Sequence, residues 1–146
     1  MQAAELCVTS TPGIQGTQPI RVFLVEDSPA LREHLTEALS SLKSVDVAGH
    51  AETETAAIAS LKAECFDAVV LDLQLKEGNG FNVLKAMRAH PDTARIAVLI
   101  LTNHATPQYR TRCIALGADY FFDKSREYDL LCETLVGLAA RKTEPS

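Results

Sequence analysis

The sequence predicts an α/β fold in which a five-stranded, doubly wound parallel sheet is covered by helices on both faces. Three observations support this prediction. Short apolar runs alternate five times with segments of helical periodicity. Two of the runs, at 69–71 and 96–101, are apolar on both faces, as expected for strands buried inside a sheet. Four of the runs end in polar side chains, which would meet at one edge of an open parallel sheet.

The composition is that of one soluble globular domain. The chain has 146 residues, of which 47% are apolar and 23% are charged, so it can bury a core. Its net charge of −5 and the lack of a basic run argue against direct nucleic-acid binding. No apolar segment is long enough to cross a bilayer, and the N-terminus has no basic and apolar leader. We therefore expect no membrane contact and a cytoplasmic location.

Three parts of the chain are distinguished by composition. Residues 1–19 are rich in Thr, Gln, Gly and Pro without apolar period, and are predicted to form a flexible N-terminal tail. The folded domain is predicted over 20–141, followed by a polar C-terminal tail over 142–146. The cysteines form no Cys-x-x-Cys pair, and we expect them to be reduced thiols: Cys7, Cys65, Cys113 and Cys132.

The first strand and helix are predicted at the start of the domain. The apolar run Ile20 to Val25 leads directly into Glu26 and Asp27. Ser28 followed by Pro29 is typical of a helix start, with Ser at the N-cap and Pro at the first helical position. Leucines at helical spacing then mark the buried face of this helix: Leu31, Leu35, Leu39 and Leu42.

The second and third units follow the same pattern. Val45 to Ala51 is predicted to be a strand, and Thr53 could cap the helix that carries Ile58 and Leu61. Val69 to Leu71 is an apolar, β-branched run that ends on Asp72. A loop with two glycines comes next, and a third helix with apolar residues at helical spacing is predicted to end near Pro91: Phe81, Leu84 and Met87.

The fourth unit begins with the apolar strand Ile96 to Leu101, which ends on Thr102. Thr106 and Pro107 form a second cap-and-proline helix start, and Gly117 is a natural helix stop. The residues expected to face the core are those at helical spacing: Tyr109, Cys113 and Leu116.

The fifth strand is predicted at Ala118 to Phe122 and runs into Asp123, Lys124 and Ser125. Ser125 could cap the last helix, whose inward face is predicted from its apolar spacing: Tyr128, Leu131, Leu135 and Leu138. Right-handed crossovers restrict how five such units assemble. The expected strand order is 2-1-3-4-5, a flavodoxin-like three-layer sandwich with its switch point between the first and third strands.

This topology brings five polar residues to one edge of the sheet. The switch point places Glu26 and Asp27 beside Asp72, while Thr102 and Lys124 end the next two strands. Three crowded carboxylates repel one another and need a cation. Their hard oxygen atoms, with room for water, suit Mg²⁺.

The same residues could carry out phosphoryl transfer. A metal-bound Asp72 can act as a nucleophile toward a phosphoryl group. Such a reaction needs in-line positioning and neutralisation of the phosphoryl oxygens. The ammonium group of Lys124 and the hydroxyl of Thr102 could each contact one of these oxygens. The backbone carbonyl of Gln74 could complete the protein's share of the metal shell.

The chain resembles the response-regulator receiver domains of two-component signalling, with the chemotaxis-regulator fold, from about residue 20 to residue 141. Each matching motif is short, but their order and spacing together are highly specific. The motifs are Val25-Glu26-Asp27-Ser28, Val70-Leu71-Asp72-Leu73 with Gly80 eight residues after Asp72, Leu101-Thr102-Asn103, and the segment from Gly117 through Phe121 to Lys124.

The resemblance implies a signalling switch without enzymatic turnover beyond its own phosphorylation and dephosphorylation. A histidine kinase or phosphotransfer protein would phosphorylate Asp72, with Mg²⁺ held by Glu26, Asp27 and Asp72. Thr102 would then move toward the phosphoryl group and Phe121 would follow it inward. This movement would change the face that binds a downstream protein target or, in a homodimer, a second copy of the chain.

The resemblance also points to residues that tune the reaction. Family variation at the positions two residues after the acceptor and after the switch threonine affects phosphate lifetime, and these positions are Gln74 and His104 here. Two departures stand out. Many receivers have proline where this chain has Lys76, and proline in a cis bond where it has Ser125. A cis bond before Ser would cost a few kcal/mol more than one before Pro, which leaves the loop shape there open.

Other functions remain open at this stage. The chain could be the receiver part of a longer DNA-binding response regulator, or a pseudo-receiver that binds partners without phosphorylation. A haloacid-dehalogenase-like phosphatase would need an acid at the position of Gln74. A flavodoxin-like binder would need a Ser/Thr/Gly-rich phosphate loop in place of Glu26 and Asp27, which would repel phosphate.

Overall fold

Five parallel strands form one sheet in the order β2-β1-β3-β4-β5, as predicted. The computed structural model describes residues 19–143, so the predicted tail lies outside the described residues except for Pro19, as do the last three residues of the chain. The strands are β1 Ile20–Val25, β2 Val45–Ala51, β3 Ala68–Leu71, β4 Ala97–Thr102 and β5 Tyr120–Asp123.

Five helices connect and follow these strands: α1 Pro29–Ser40, α2 Glu54–Ala63, α3 Gly80–Ala89, α4 Pro107–Ala115 and α5 Tyr128–Thr143. The first four begin at a side chain that accepts a hydrogen bond from the backbone N–H three residues later, which satisfies one otherwise unpaired donor of the first turn. These N-caps are Ser28, Thr53, Asn79 and Thr106. Within residues 19–143, the helices fall short of the length and apolarity that a bilayer crossing requires.

The helices cover the sheet in two layers. Helices α1 and α5 pack on one face through apolar residues such as Leu35, Leu39, Leu131 and Leu135. Helices α2, α3 and α4 pack on the other face through a second cluster that includes Leu61, Leu84 and Cys113. All four residues of β3 are buried, because helices cover the middle of the sheet on both sides. The result is the predicted three-layer sandwich.

Two predicted boundaries near the C-terminus are wrong. Strand β5 begins at Tyr120 rather than Ala118, because the N–H of Ala118 still bonds the Cys113 carbonyl at the end of α4. Ser125 does not cap the last helix, which starts three residues later. The backbone N–H and the hydroxyl of Ser125 instead donate to Asp123 Oδ1, at 2.9 and 2.8 Å. Local side-chain bonding of this kind competes with a helix start.

Helix α5 continues to Thr143, the last described residue. One expectation about the cysteines is wrong. Cys113 and Cys132 are free thiols, but Cys65 is disulfide-bonded, so the prediction of reduced thiols is wrong for Cys65. Spacing along the sequence does not reveal which thiols approach each other in space.

Asp67 joins two elements at the edge of the sheet where the strands begin. Its Oδ2 accepts a hydrogen bond from the Arg21 backbone N–H at 2.7 Å, and lies 3.0 Å from the Lys142 Nζ. The first strand and the last helix of the described chain therefore meet at one carboxylate.

Arg88, near the end of α3, joins three segments on the far side of the sheet. Its guanidinium donates twice to the Gly117 carbonyl, at 2.8 and 2.9 Å, and once each to the Ala94 and Ile96 carbonyls, both at 2.8 Å. It also contacts Asp119 Oδ2 at 3.0 Å. The guanidinium thus satisfies three backbone carbonyls that no helix or strand pairs.

We expect Arg88→Met to lower the free energy of unfolding by about 3 kcal/mol, because hydrogen bonds to a charged group are lost and their acceptors stay unpaired. Urea unfolding followed by circular dichroism would measure the change. Arg141→Met is the matched control, since Arg141 makes a single exposed bond of 3.3 Å to the Tyr120 hydroxyl. Equal, small shifts of both midpoints would contradict this role for Arg88.

Candidate functional site

The carboxyl edge of the sheet collects the predicted polar residues. Glu26 and Asp27 follow β1, Asp72 follows β3, Thr102 ends β4 and Lys124 follows β5. Two backbone hydrogen bonds hold the residues that follow β1 and β3. The Glu26 N–H donates to the Ala51 carbonyl and the Asp72 N–H donates to the Val25 carbonyl, both at 3.0 Å. The strand ends thus position the side chains before any ligand is considered.

The three acids lie close enough to share one cation. Glu26, Asp27 and Asp72 each present a carboxylate oxygen, and these three atoms lie within 4.8 Å of one another. Glu26 and Asp72 are buried, while Asp27 is half-buried. Hard oxygen donors in this arrangement fit Mg²⁺, which accepts a few protein oxygens and keeps water as its remaining ligands. The donor set therefore fits the predicted ion, and a metal-binding role for these residues stays a prediction.

Lys124 bridges two of the acids. Its Nζ lies 2.7 Å from Glu26 Oε1 and 2.8 Å from Asp72 Oδ2, and the side chain is 5% exposed. Burial alone would lower the pKa of Lys124, but the hydrogen bonds to Asp72 and Glu26 outweigh it and raise that pKa. The lysine is therefore a fixed positive charge directly beside the predicted acceptor.

The surroundings of Glu26 act on its pKa in opposite directions. Burial raises its pKa, although the bonds from Lys124 and from the Ser28 N–H, 3.0 Å from Oε2, oppose the rise. Asp72 uses its second oxygen, Oδ1, to accept a weaker bond of 3.3 Å from the Gln74 N–H. Each buried carboxylate thus has a partner for both of its oxygens.

Thr102 is fully buried at the end of β4. Its Oγ1 accepts a bond from the His104 N–H at 3.1 Å, and its carbonyl accepts from the Lys124 N–H at 2.9 Å. The side chain of His104 is exposed, and its ring centroid lies 6.3 Å from that of Tyr109. The Gln74 side chain is exposed as well. Thr102 is therefore joined to Lys124 by a backbone hydrogen bond, and the side chain of His104 lies at the exposed rim of the site.

Phe121 already lies inside the protein. It is 4% exposed, and the guanidinium carbon of Arg110 sits 4.8 Å from the centre of its ring. The ring is therefore buried in this structure and covered by the Arg110 side chain. Its movement with Thr102 on phosphorylation stays a prediction.

The peptide bond after Lys124 differs from the cis bond that many receivers have before proline at this position. Residues 19–143 contain no cis peptide bond, so the bond between Lys124 and Ser125 is trans.

On the other side of the site, Gly80 packs directly against the Asp72 backbone carbonyl, where a Cβ would collide with the oxygen. This close approach explains why glycine stands at the start of α3.

Sequence reasoning missed the contacts of three charged residues around the site, of which only Lys76 had been noted, as a departure from the family pattern. Glu52 contacts both Arg32 and Lys76, and Arg32 also bonds the Glu26 backbone carbonyl. A usable pattern existed, because Glu52 directly follows β2 and so belongs to the same sheet edge as the other polar strand ends. A fourth missed group is the Tyr128 hydroxyl, which is buried without a hydrogen-bond partner in the described part of the chain.

Comparison with known proteins identifies a family. The family described as "Response regulator receiver domain" matches residues 22–136. Among curated proteins, the chain is 31% identical over 106 residues to the DNA-binding transcriptional activator DevR/DosR of Mycobacterium tuberculosis. That match covers 72% of this chain and 48% of the relative. Across such relatives the chain spans between 14% and 57% of their length.

Solved structures agree with this assignment. The signal receiver domain of NarL from Mycobacterium tuberculosis superposes with a TM-score of 0.76 at 28% identity, covering 84% of this chain and 98% of that one. The Mn²⁺-bound form of the response regulator Rcp1 superposes with a TM-score of 0.68 at 25% identity, covering 88% and 97%. Both similarities extend over nearly the whole described fold.

Proposed function

Because the chain belongs to the response regulator receiver domain family, we propose that it is a phosphoacceptor switch whose acceptor is Asp72. A histidine kinase or a phosphotransfer protein would donate the phosphoryl group. The observation that supports this proposal best is the contact of a buried ammonium group, Lys124 Nζ, with Asp72 Oδ2 at 2.8 Å. The positive charge of Lys124 lies beside the acceptor carboxylate. There it would neutralise negative charge on the oxygens of an incoming phosphoryl group.

The chemistry follows from the residues around the acceptor. A carboxylate oxygen of Asp72 would form the new bond to phosphorus as the bond between phosphorus and the donor imidazole breaks, leaving its electron pair on the imidazole. Glu26, Asp27, Asp72 and the Gln74 backbone carbonyl would hold Mg²⁺, which when bound would neutralise phosphoryl charge. The Mn²⁺-bound relative supports a divalent ion in this family. The exposed Gln74 and His104 side chains at the rim would then affect the lifetime of the phosphate.

Signalling would use the hydroxyl of Thr102. Its oxygen accepts from the His104 N–H, so its own proton is available to donate to a phosphoryl oxygen. Lys124 and Thr102 would bond the phosphoryl group in one conformation and thereby shift an equilibrium that already exists. A change from mostly inactive to mostly active needs about 5 kcal/mol of differential interaction, which charge-assisted hydrogen bonds and a metal ion can supply.

The output surface would be the face formed by α4, β5 and α5. Phe121 belongs to β5, and the Arg110 guanidinium on its ring connects it to α4. A downstream protein target, or a second copy of the chain in a homodimer, would read the change. The domain itself would act in the cytoplasm as a switch and not as an enzyme with turnover.

One relative favours a second reading of the output. DevR/DosR is named a DNA-binding transcriptional activator, and this chain spans 48% of its length. The chain would then be the receiver portion of a longer DNA-binding response regulator, with the same chemistry at Asp72. A pseudo-receiver that binds partners without phosphorylation is the remaining alternative, and the intact set of acids with Lys124 and Thr102 speaks against it.

Labelling with a small phosphodonor tests the proposal. We expect acetyl phosphate with Mg²⁺ to add the mass of one phosphoryl group to the wild-type chain, measured by intact mass spectrometry. Removal of the metal with EDTA should abolish the labelling, because three crowded carboxylates would repel the incoming phosphate. Wild-type protein that stays unlabelled at saturating Mg²⁺ would favour the pseudo-receiver.

A further inference from the structure

Glu52 joins two loops of the site through the two oxygens of one carboxylate. Oε2 lies 3.0 Å from Arg32 Nη1, and Oε1 lies 3.1 Å from Lys76 Nζ. Arg32 belongs to α1, just after the loop with Glu26 and Asp27, whereas Lys76 belongs to the loop that follows Asp72. The bonds from these two cations lower the pKa of Glu52, so it is a charged bridge at neutral pH.

The Arg32 side of this bridge reaches the acidic cluster directly. Arg32 Nη1 donates to the Glu26 backbone carbonyl at 3.0 Å while it contacts Glu52. The side chain of Arg32 is 15% exposed, which leaves it little freedom. The orientation of the backbone that carries Glu26 and Asp27 therefore depends on an arginine that Glu52 holds.

The loop after Asp72 is held by the same turn that carries Glu52. Glu54 N–H donates to the Glu77 carbonyl at 2.9 Å, and Glu54 Oε1 accepts from the Asn79 N–H at 3.1 Å. Gly78 packs against the Glu54 side chain so closely that a Cβ would collide with it. The Lys76 ion pair is thus one of several ties between the turn at 52–54 and the loop at 74–79.

We propose that Glu52 is a positioning residue for the phosphoacceptor site, a role that rests on the function proposed above. By joining Arg32 and Lys76 it adds a side-chain tie between the two loops that supply all three carboxylates. Partners that bond a metal ligand directly typically change metal affinity about 10- to 100-fold when removed. Glu52 acts one residue further out, through Arg32, so we expect a smaller change. Glu52 also offsets two positive charges that would otherwise disfavour a divalent cation nearby.

A positioning role differs measurably from a purely structural one. Exposed ion pairs contribute little to stability, and the side chains of Glu52 and Lys76 are 31% and 60% exposed. We therefore expect Glu52→Gln to leave the urea midpoint of unfolding nearly unchanged. Its effect should appear in Mg²⁺ binding, measured by calorimetric titration of the full chain with MgCl₂ and no phosphodonor.

We expect Glu52→Gln to weaken Mg²⁺ binding by a factor of about 3 to 10, below the range for partners that bond a metal ligand directly, because Glu52 acts through Arg32. Glu64→Gln is the matched control, because Glu64 forms an equivalent exposed ion pair with Arg21 at 3.1 Å, at the opposite edge of the sheet. The control should bind Mg²⁺ like wild type. Equal affinities for Glu52→Gln and wild type would overturn the proposal.

A double variant separates geometry from charge. Glu52→Gln combined with Lys76→Gln restores the net charge but not the bridge. Mg²⁺ affinity that stays as weak as in Glu52→Gln supports positioning, whereas full recovery would reduce the effect to charge alone and overturn the proposal. Wild-type protein without measurable Mg²⁺ binding would instead refute the metal-dependent function itself, which distinguishes the two failures.

Discussion

Asp72→Asn is expected to abolish phosphoryl incorporation from acetyl phosphate. An amide is not a nucleophile toward phosphorus at neutral pH, and the variant also removes one of the three charges that would hold Mg²⁺. The fold should persist, because Lys124 keeps its 2.7 Å contact with Glu26 and the amide oxygen can still accept from the lysine. Intact mass spectrometry with and without Mg²⁺ would measure the loss.

Asp46→Asn is the matched control for this experiment. Asp46 is exposed near the start of β2, far along the strand from the carboxyl edge, so its replacement should leave labelling at the wild-type level. Any label on the wild type should also be removed by hydroxylamine, as expected for an acyl phosphate. A phosphoryl group that appears on Asp72→Asn at the wild-type rate would show that Asp72 is not the acceptor.

Lys124→Met is expected to lower the free energy of unfolding by about 4 kcal/mol near pH 8, since removing one partner of a buried ion pair leaves uncompensated charge. Here two buried carboxylates, Glu26 and Asp72, would lose the cation between them. Urea unfolding followed by circular dichroism would measure the loss. Lys85→Met, at an exposed position of α3, should change stability by less than about 0.5 kcal/mol.

The loss in Lys124→Met should depend on pH in a defined direction. Burial already raises the pKa of Glu26 above its ordinary value, and without Lys124 only the bond from the Ser28 N–H would still oppose that rise. A carboxyl group with a higher pKa in the folded state binds more protons when folded, so folded stability falls as pH rises through that pKa. The variant should therefore be less destabilised at about pH 5.5 than at about pH 8. A loss independent of pH would contradict this explanation.

Local chemistry made much of the fold predictable. The pairs Ser28-Pro29 and Thr106-Pro107 define helix starts that the structure reproduces, because cap and proline preferences act within one turn. The strand order followed from alternation and crossover handedness, which leave few topologies for five units. The convergence of Glu26, Asp27 and Asp72 on one place is a consequence of that order and not of any single motif.

Contacts between distant segments could not be predicted in this way. The sequence placed Lys124 at the correct edge but did not reveal that Glu26 is one of its partners, 98 residues away. The bridge through Glu52 was missed because a single acid after a strand, taken alone, looks like ordinary solvated charge. Ser125 was misassigned because a bond to Asp123 satisfies its side chain before any helix begins.

The meeting of Arg21 and Lys142 at Asp67 has a consequence for protein engineering. The two ends of the described range, 19–143, therefore lie near each other on the side of the sheet remote from Asp72. A short bridging peptide could join them, and the fold could then be cut open in an exposed turn to create a circular permutant. A label attached at either end of the described segment would likewise lie on the side of the sheet remote from Asp72.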